Sequence, residues 1–319
     1  MSEILLETID LKKYFYTPRG LLHAVDGINM QIKSGTTLGV VGESGCGKST
    51  LGRVILRLLS ATSGQVLFEG QNILDYDNKK MKNMRLMMQM IFQDPYASIN
   101  PRMSVSEIIS DPIRICKTIN GKEAIAEKVR DLMKTVGLGD RYVNSYPHEM
   151  DGGRRQRVGI ARALALEPRF IICDEPVSAL DVSVQAQILN LLMDLQEERQ
   201  LTYIFITHDL SVVKHISDEI MVMYLGQCVE KAPAQELFEN PLHPYTEMLL
   251  SAIPIPSIET AQRERKKVRG EATNPINPEP GCRFAGRCPY SKAICLQNEI
   301  KQIEINPGHQ VSCVNYYNE

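Results

Sequence analysis

The stretch Gly42-Glu43-Ser44-Gly45-Cys46-Gly47-Lys48-Ser49-Thr50 has the spacing G-x-x-x-x-G-K-S. Its glycines let backbone N–H groups turn inward around phosphate oxygens, and a helix starting directly after them adds the positive end of its dipole. In that chemistry Lys48 reaches the β- and γ-phosphates of a nucleotide, and the Ser49 hydroxyl holds Mg²⁺.

Two carboxylates stand at a second point. Phe170-Ile171-Ile172-Cys173 is an apolar run that ends in Asp174-Glu175-Pro176. A buried parallel strand delivers its last residues to the sheet edge where such folds bind ligands, so Asp174 can approach the metal and Glu175 a water near the γ-phosphate. The plainer alternative is a pair of loop-edge acids. Gln93 follows the apolar run Met90-Ile91-Phe92 and precedes Asp94-Pro95, where a proline ends the run. His208 follows the run Thr202 to Ile206. Alone it reads as a structural histidine; at the same edge as the loop it reads as a γ-phosphate contact.

A third group is made of sulfur. Cys282, Cys288, Cys295 and Cys313 fall within 32 residues, with five, six and seventeen residues between them. Sets of four thiolates suit zinc or an iron–sulfur cluster. Zinc ribbons have a close pair with about two to four residues between ligands, and none occurs here; in the zinc case His309 is a substitute ligand. Unbound thiols are the remaining reading. The other cysteines do not cluster: Cys46 lies in the glycine loop, Cys173 in the apolar run, and Cys116 and Cys228 read as inert thiols.

The elements that must position these groups follow from periodicity. The run Thr37-Leu38-Gly39-Val40-Val41 before the loop reads as a strand, and Leu51 to Leu59 after it as a helix. Ile4 to Glu7, Val25 to Ile32 and Gln65 to Gly70 read as further strands, with a turn at Ala61 to Gly64. The segment Leu11 to Pro18 reads as a loop whose aromatic side chains offer a face for a base. Asp75 to Met90 is polar and rich in methionine. Residues 96 to 168 read as mainly helical, with three-four apolar spacing at Val105 to Ile109, Glu123 to Val136 and Arg154 to Leu166. This is a helical insertion within an α/β body.

Composition bounds the function. The 319 residues suffice for one large domain and something smaller. Thirty-six basic and thirty-eight acidic residues leave a net charge of -2, so no general electrostatic drive toward nucleic acid exists. The longest apolar runs fall well short of the roughly 18 to 20 residues that span a bilayer. The start Met-Ser-Glu-Ile has no secretory pattern, and in a chain read as cytosolic the eight cysteines are expected as thiols or ligands rather than disulfides.

These motifs, in this order and over nearly the whole chain, resemble the nucleotide-binding subunit of an ABC transporter. The resemblance implies an α/β P-loop NTPase of the ABC ATPase type, with a helical subdomain and a small cysteine-rich C-terminal extension. Residues 1–253 would form the nucleotide-binding domain, with the helical subdomain at about 96–168. Residues 254–281, rich in proline and charge, read as a linker, and 282–319 as the extension. On the family pattern Phe15 stacks on adenine, with Tyr14 and Tyr16 as substitutes. Gln93 touches Mg²⁺ and senses membrane subunits. Asp174 and Glu175 are the metal-side acid and the water-orienting base, Ser178 to Asp181 is the D-loop, and His208 is the switch histidine. ATP hydrolysis would occur in a head-to-tail dimer, each ATP lying between one chain's P-loop and the other's signature motif.

The signature departs from the family. Where L-S-G-G-Q is usual, Met150-Asp151-Gly152-Gly153-Arg154 stands here. Asp151 would offer a carboxylate to the partner's γ-phosphate, and two unit charges at about 4 Å repel by roughly 4 kcal/mol at an effective dielectric near 20. Arg154 can relieve part of this. Alternatively Asp151 simply caps the helix it opens. In the first case a heterodimer with one weakened site follows, and with no second P-loop in the chain the other half is expected from another polypeptide.

The tail narrows the resemblance. Asn240-Pro241-Leu242-His243-Pro244-Tyr245-Thr246, followed by Leu249 to Pro254, is similar to the ATPases of oligopeptide and dipeptide importers, and related nickel importers share it. That resemblance implies a 4Fe-4S cluster on Cys282, Cys288, Cys295 and Cys313. It also implies a second, non-identical ATPase, two permease subunits, an extracellular binding protein and a place on the cytoplasmic face of the membrane. The alternative class is a soluble ABC ATPase acting on DNA or ribosomes.

Overall fold

A computed structural model of the chain describes residues 3–253, 275–297 and 299–317. The expected linker therefore lies outside the described residues up to residue 274. Along the chain come β1 (Ile4–Thr17), β2 (Gly20–Lys33), β3 (Thr37–Val41), α1 (Lys48–Ile55), β4 (Ser63–Phe68) and β5 (Gln71–Asn72). Then follow α2 (Asn78–Met87), β6 (Met88–Ile91), α3 (Pro95–Ser98), α4 (Val105–Cys116), α5 (Lys122–Thr135), α6 (Gly152–Leu164), β7 (Phe170–Asp174) and α7 (Val182–Arg199). The last part holds β8 (Thr202–Ile206), α8 (Leu210–Ile216), β9 (Glu219–Tyr224), β10 (Gln227–Pro233), α9 (Ala234–Glu239), α10 (Pro244–Ser251), β11 (Ile303–Asn306) and β12 (His309–Val311).

Two compact units form. The first takes the described residues of Met1–Lys33, Thr37–Leu74 and Thr207–Glu319. Here an antiparallel sheet has the order β2-β1-β4-β5. β3 runs parallel to β9, with Leu38 opposite Glu219 and Val41 opposite Val222, and β9 turns back onto β10. The tail adds to this edge, for β12 pairs antiparallel with β10, and β11 with β12. All five residues of β3 are buried, which is why it reads as a continuous apolar run rather than an alternating one.

The second unit is Ser34–Thr36 with Asp75–Ile206. Its strands β6, β7 and β8 are parallel, with Phe170 opposite both Met88 and Thr202. Every residue of β7 and β8 is buried. The helices obey capping rules. Ser104 and Glu107 form a reciprocal capping box at the start of α4, and Asp181 accepts the Val184 N–H at the start of α7. Helix α4 buries Val105, Ile108, Ile109 and Ile113, and α5 buries Val129, Leu132 and Met133, each worth about 1.5–3 kcal/mol against exposure.

Residues 11–18 correct the sequence reading. Instead of a loop, β1 continues to Thr17 and pairs with β2 throughout, Phe15 opposite Leu22 and Tyr14 opposite His23. The register shifts between Thr8 and Leu11, Leu11 and Lys13, and Lys13 and Tyr14. Each bulge resets the two-residue alternation, so the sequence shows no strand period there.

Candidate nucleotide site

β3 carries the chain to Gly42, and α1 begins at Lys48. Gly42 has φ 150 and Gly47 φ 108, both in the region that L side chains avoid. A Cβ on Gly42 would stand 2.2 Å from the Met223 carbonyl oxygen, and one on Gly47 2.0 Å from that of Ala24. Neighbouring backbone thus closes on the turn from two sides. Gly47 caps α1 without a side chain, which leaves the first N–H groups for an anion. Ser44 and Gly45 form the exposed tip, and Ser49 and Thr50 are half-buried in the first turn of α1.

Lys48 is 4% exposed. Its Nζ donates to the carbonyls of Gly42 at 2.8 Å and Glu43 at 3.0 Å and lies 3.8 Å from Cys46 Sγ. The ammonium is pre-placed over the loop, where incoming phosphate oxygens can accept from it. Burial raises the pKa of the Cys46 thiol against the nearby Lys48 charge, so this cysteine packs rather than reacts. The Thr207 N–H donates to the Val40 carbonyl at 3.1 Å, which sets the next residue, exposed His208, at the same strand end as the loop.

The three aromatics of β1 differ. Tyr14 stacks on His23 with centroids 3.9 Å apart and donates its hydroxyl to Asp26. Asp26 also takes His23 Nδ1 at 2.9 Å and the Arg283 guanidinium. Tyr16 is 95% exposed. Phe15 is half-buried with Lys13 Nζ 4.8 Å from its centroid, a ring whose π-face already attracts a cation.

In the second unit β7 ends at Asp174, 1% exposed. Glu175 follows with φ 46, held by its N–H bond to the Ile206 carbonyl at 2.9 Å. A glutamate in this region stores backbone strain at the head of a strand. Gln93 Nε2 donates to Glu175 Oε2 at 2.9 Å, so these two expected residues meet. Ser178 Oγ donates to the Glu175 carbonyl at 3.2 Å. Asp181 accepts from Ser183 Oγ at 2.7 Å and Val184 N at 3.0 Å; these bonds, that of Ser183 first, lower its pKa.

The signature turn packs beside the D-loop. Ideal Cβ atoms on Gly152 and Gly153 would lie 3.0 Å from Leu180 Cδ2 and 2.5 Å from Val184 Cγ1. Asp151 is the cap of α6: Oδ1 accepts the Arg154 N–H at 2.8 Å, and Oδ2 meets Arg154 Nη1 at 2.5 Å. Asp151 is thus a cap whose charge is matched by Arg154 at an exposed site.

In the tail Cys295 Sγ accepts the Lys292 backbone N–H at 3.4 Å. Burial raises the Cys282 thiol to about 11 against the Phe284 N–H, and the charges of Cys295, Cys288 and Cys313 add to the rise. Among the described residues no group of three or more His, Cys, Asp or Glu side chains stands ready-made for a metal ion. His309 is taken up elsewhere: it is fully buried, with Nε2 2.8 Å from Glu230 Oε1 and Nδ1 3.6 Å from Glu236.

Residues 25–178 match the ABC transporter family, and residues 229–295 match the C-terminal region of oligopeptide/dipeptide transporters. The chain is 50% identical to the oligopeptide transport ATP-binding protein AppF of Bacillus subtilis, over 98% of this chain and 97% of that one. The chain belongs to the ABC transporter ATPases. It is also 47% identical to the dipeptide transport ATP-binding protein DppF of Escherichia coli, over 98% of this chain and 95% of DppF. A solved dimer of the ATP-binding cassette MJ0796 bound to ADP and Pi has a TM-score of 0.67 and 27% identity, covering 72% of this chain and 99% of its own.

As an ABC ATPase the chain binds ATP with Mg²⁺ and hydrolyses it. The helix start that no side chain caps, and Lys48 buried over the glycine loop, fit a triphosphate. Among the described residues no helix is long and apolar enough to cross a membrane. Sequence reasoning missed the ties between the P-loop of this ABC ATPase and its tail, at Glu43, Tyr245 and Arg287. These partners are 202 and 244 positions apart in sequence, beyond any local pattern.

Proposed function

We propose that this ABC ATPase is the motor subunit of an importer for oligopeptides or dipeptides. It works beside a second, non-identical ATPase on the cytoplasmic face of the cell membrane, attached through two permease subunits that receive solute from an extracellular binding protein. The reading rests on one conjunction: an intact phosphate cradle around Lys48 in the same chain as a C-terminal region like that of oligopeptide/dipeptide transporters. Relatives named for oligopeptide and dipeptide transport support the cargo class. The balanced charge favours it over an ATPase working on DNA or ribosomes, which gains from a basic surface. Residues 1–253 act as the nucleotide-binding domain, with a helical part at about 96–168, and 282–319 as its extension.

In this mechanism the chain positions and neutralises. Phe15 offers its ring to the adenine, and the amides of Gly42 to Thr50 and the Lys48 ammonium hold phosphate. Ser49, Gln93 and Asp174 would hold Mg²⁺, which supplies charge neutralisation at the phosphates. Glu175 orients the attacking water, and His208 contacts the γ-phosphate. The Gln93 amide, bonded to Glu175, ties that base to the segment Gln93 to Met103 that would press on the permease. The whole complex, extracted in mild detergent, should carry permease subunits and drive ATP-dependent peptide uptake after reconstitution into vesicles. Recovery with ribosomes or DNA instead, or uptake of nickel ions without peptide, defeats the reading.

The signature supports an asymmetric pair. Arg154 matches the Asp151 charge, but the exposed turn still offers the partner's ATP a carboxylate in place of a hydroxyl. The double change Asp151→Ser with Arg154→Gln is expected to raise ATP turnover of the assembled complex severalfold, up to about tenfold. An unchanged steady-state rate removes the asymmetry.

The four tail thiols are the remaining part. The Lys292 N–H on Cys295 Sγ suits a thiolate ligand, and a bound cation offsets the cost of burial that raises Cys282. Cys282, Cys288, Cys295 and Cys313 would hold a 4Fe-4S cluster, with zinc as the alternative; the group would be structural or regulatory. Chain purified without oxygen should contain about four iron and four sulfide per protein, lost on Cys282→Ser with Cys288→Ser. Zinc without sulfide decides for the alternative, and metal-free protein sinks both.

A further inference from the structure

The phosphate loop is gripped from the far end of the chain. Glu43, the residue after the first cradle glycine, is held at two points. Arg287 Nη1 donates to its Oε2 and Nη2 to its Oε1, each at 2.8 Å. This is the paired fork that only a guanidinium makes with a carboxylate. The Glu43 backbone N–H donates to the Tyr245 hydroxyl at 2.9 Å.

Both anchors are themselves fixed. Tyr245 is fully buried, with its ring 4.7 Å from Tyr224 and 5.4 Å from Phe284, and Phe284 meets Tyr224 edge-on at 5.3 Å. The Arg287 guanidinium lies 5.7 Å from the centroids of both Tyr224 and Phe284. Its backbone is set by a tight turn in which the N–H groups of Arg287 and Cys288 both donate to the Phe284 carbonyl at 2.9 Å. The Arg287 side chain is 11% exposed and that of Glu43 30%, so water reaches the pair mainly from the carboxylate side.

The chemistry explains why such a grip matters. Lys48 uses the Gly42 and Glu43 carbonyls as its resting partners, so the backbone at Glu43 sets where the ammonium waits. A free carboxylate in this loop would also oppose a triphosphate. We propose that Arg287 is a positioning residue for nucleotide binding: it pins and neutralises Glu43, and with Tyr245 it lets the C-terminal region set the affinity of the P-loop for ATP.

The test is a double-mutant cycle in the assembled full-length complex, reading KM for ATP, kcat and ATP binding. Arg287→Met should raise KM about tenfold and leave kcat within about twofold, since a charged fork is lost and a carboxylate is left unmatched. Glu43→Gln should raise KM severalfold but less than Arg287→Met, because the amide oxygen keeps one of the two Arg287 bonds and leaves no unmatched charge. The double variant should recover the part of the loss that comes from the unmatched carboxylate, and so bind ATP more tightly than Arg287→Met. Unchanged KM in Arg287→Met, a loss confined to kcat, or single effects that simply multiply overturns the proposal. If Arg287→Met fails to assemble, Arg287→Lys gives the same decision, because it keeps the charge without the fork: raised KM at constant kcat supports the role, and wild-type KM ends it.

Discussion

Lys48→Ala should lower kcat/KM for ATP by about 100- to 1,000-fold, the usual cost of removing one preorganised charged donor from a closed site. The expectation follows from where the ammonium sits. Lys48 is 4% exposed and its Nζ spans the Gly42 and Glu43 carbonyls, so the donors are fixed before ATP arrives and little reorganisation accompanies binding. Alanine keeps the helix that begins at this residue and removes the only side-chain cation of the motif. No nearby base can replace it, since Cys46 stays a thiol in its buried place. Peptide uptake should stop in parallel with ATP turnover. Complexes that carry the change in every copy and still accumulate peptide would show that energy enters elsewhere. A melting temperature close to wild type separates lost chemistry from lost fold.

Much of this site was legible in the chain because its parts are local. The P-loop is nine consecutive residues, and the strand and helix around it carry their own periods. Strands β3, β7 and β8 are buried on both faces, so each appears as a plain apolar run. The cap Asp151 is readable for the same reason, since it bonds within three residues.

What escaped depends on distance or on broken periodicity. Bulges between Thr8 and Tyr14 erased the alternation of β1. The Glu43 fork joins residues that nothing in the sequence associates, and Arg287 sits in a tail that reads as cysteine spacing alone. Tyr14 stood behind Phe15 as a substitute for stacking on a base, and the structure shows it occupied by Asp26 and His23, with Arg283 on the same Asp26. Composition and spacing say which side chains can do chemistry; pairings across hundreds of residues decide which of them are already engaged.

Glu175→Gln should lower kcat by about 100- to 10,000-fold, the range that a positioned general base supplies, with ATP affinity within about threefold of wild type. Three observations lead there. The backbone at Glu175 is held at φ 46 by the bond to the Ile206 carbonyl, strain that persists where a side chain must be aimed. The carboxylate accepts from Gln93 Nε2, and a glutamine oxygen can accept the same bond, so the geometry should survive the change. What is lost is the ability to take a proton from water or to orient it by charge. Binding falls to the P-loop residues, which the change leaves alone, so the variant should hold intact ATP and turn it over slowly. His208→Ala provides the contrast, since loss of the proposed γ-phosphate contact should weaken kcat without trapping triphosphate to the same extent. If Glu175→Gln turns over ATP within about threefold of wild type while His208→Ala is nearly dead, the base is the histidine and the role assigned to Glu175 is wrong.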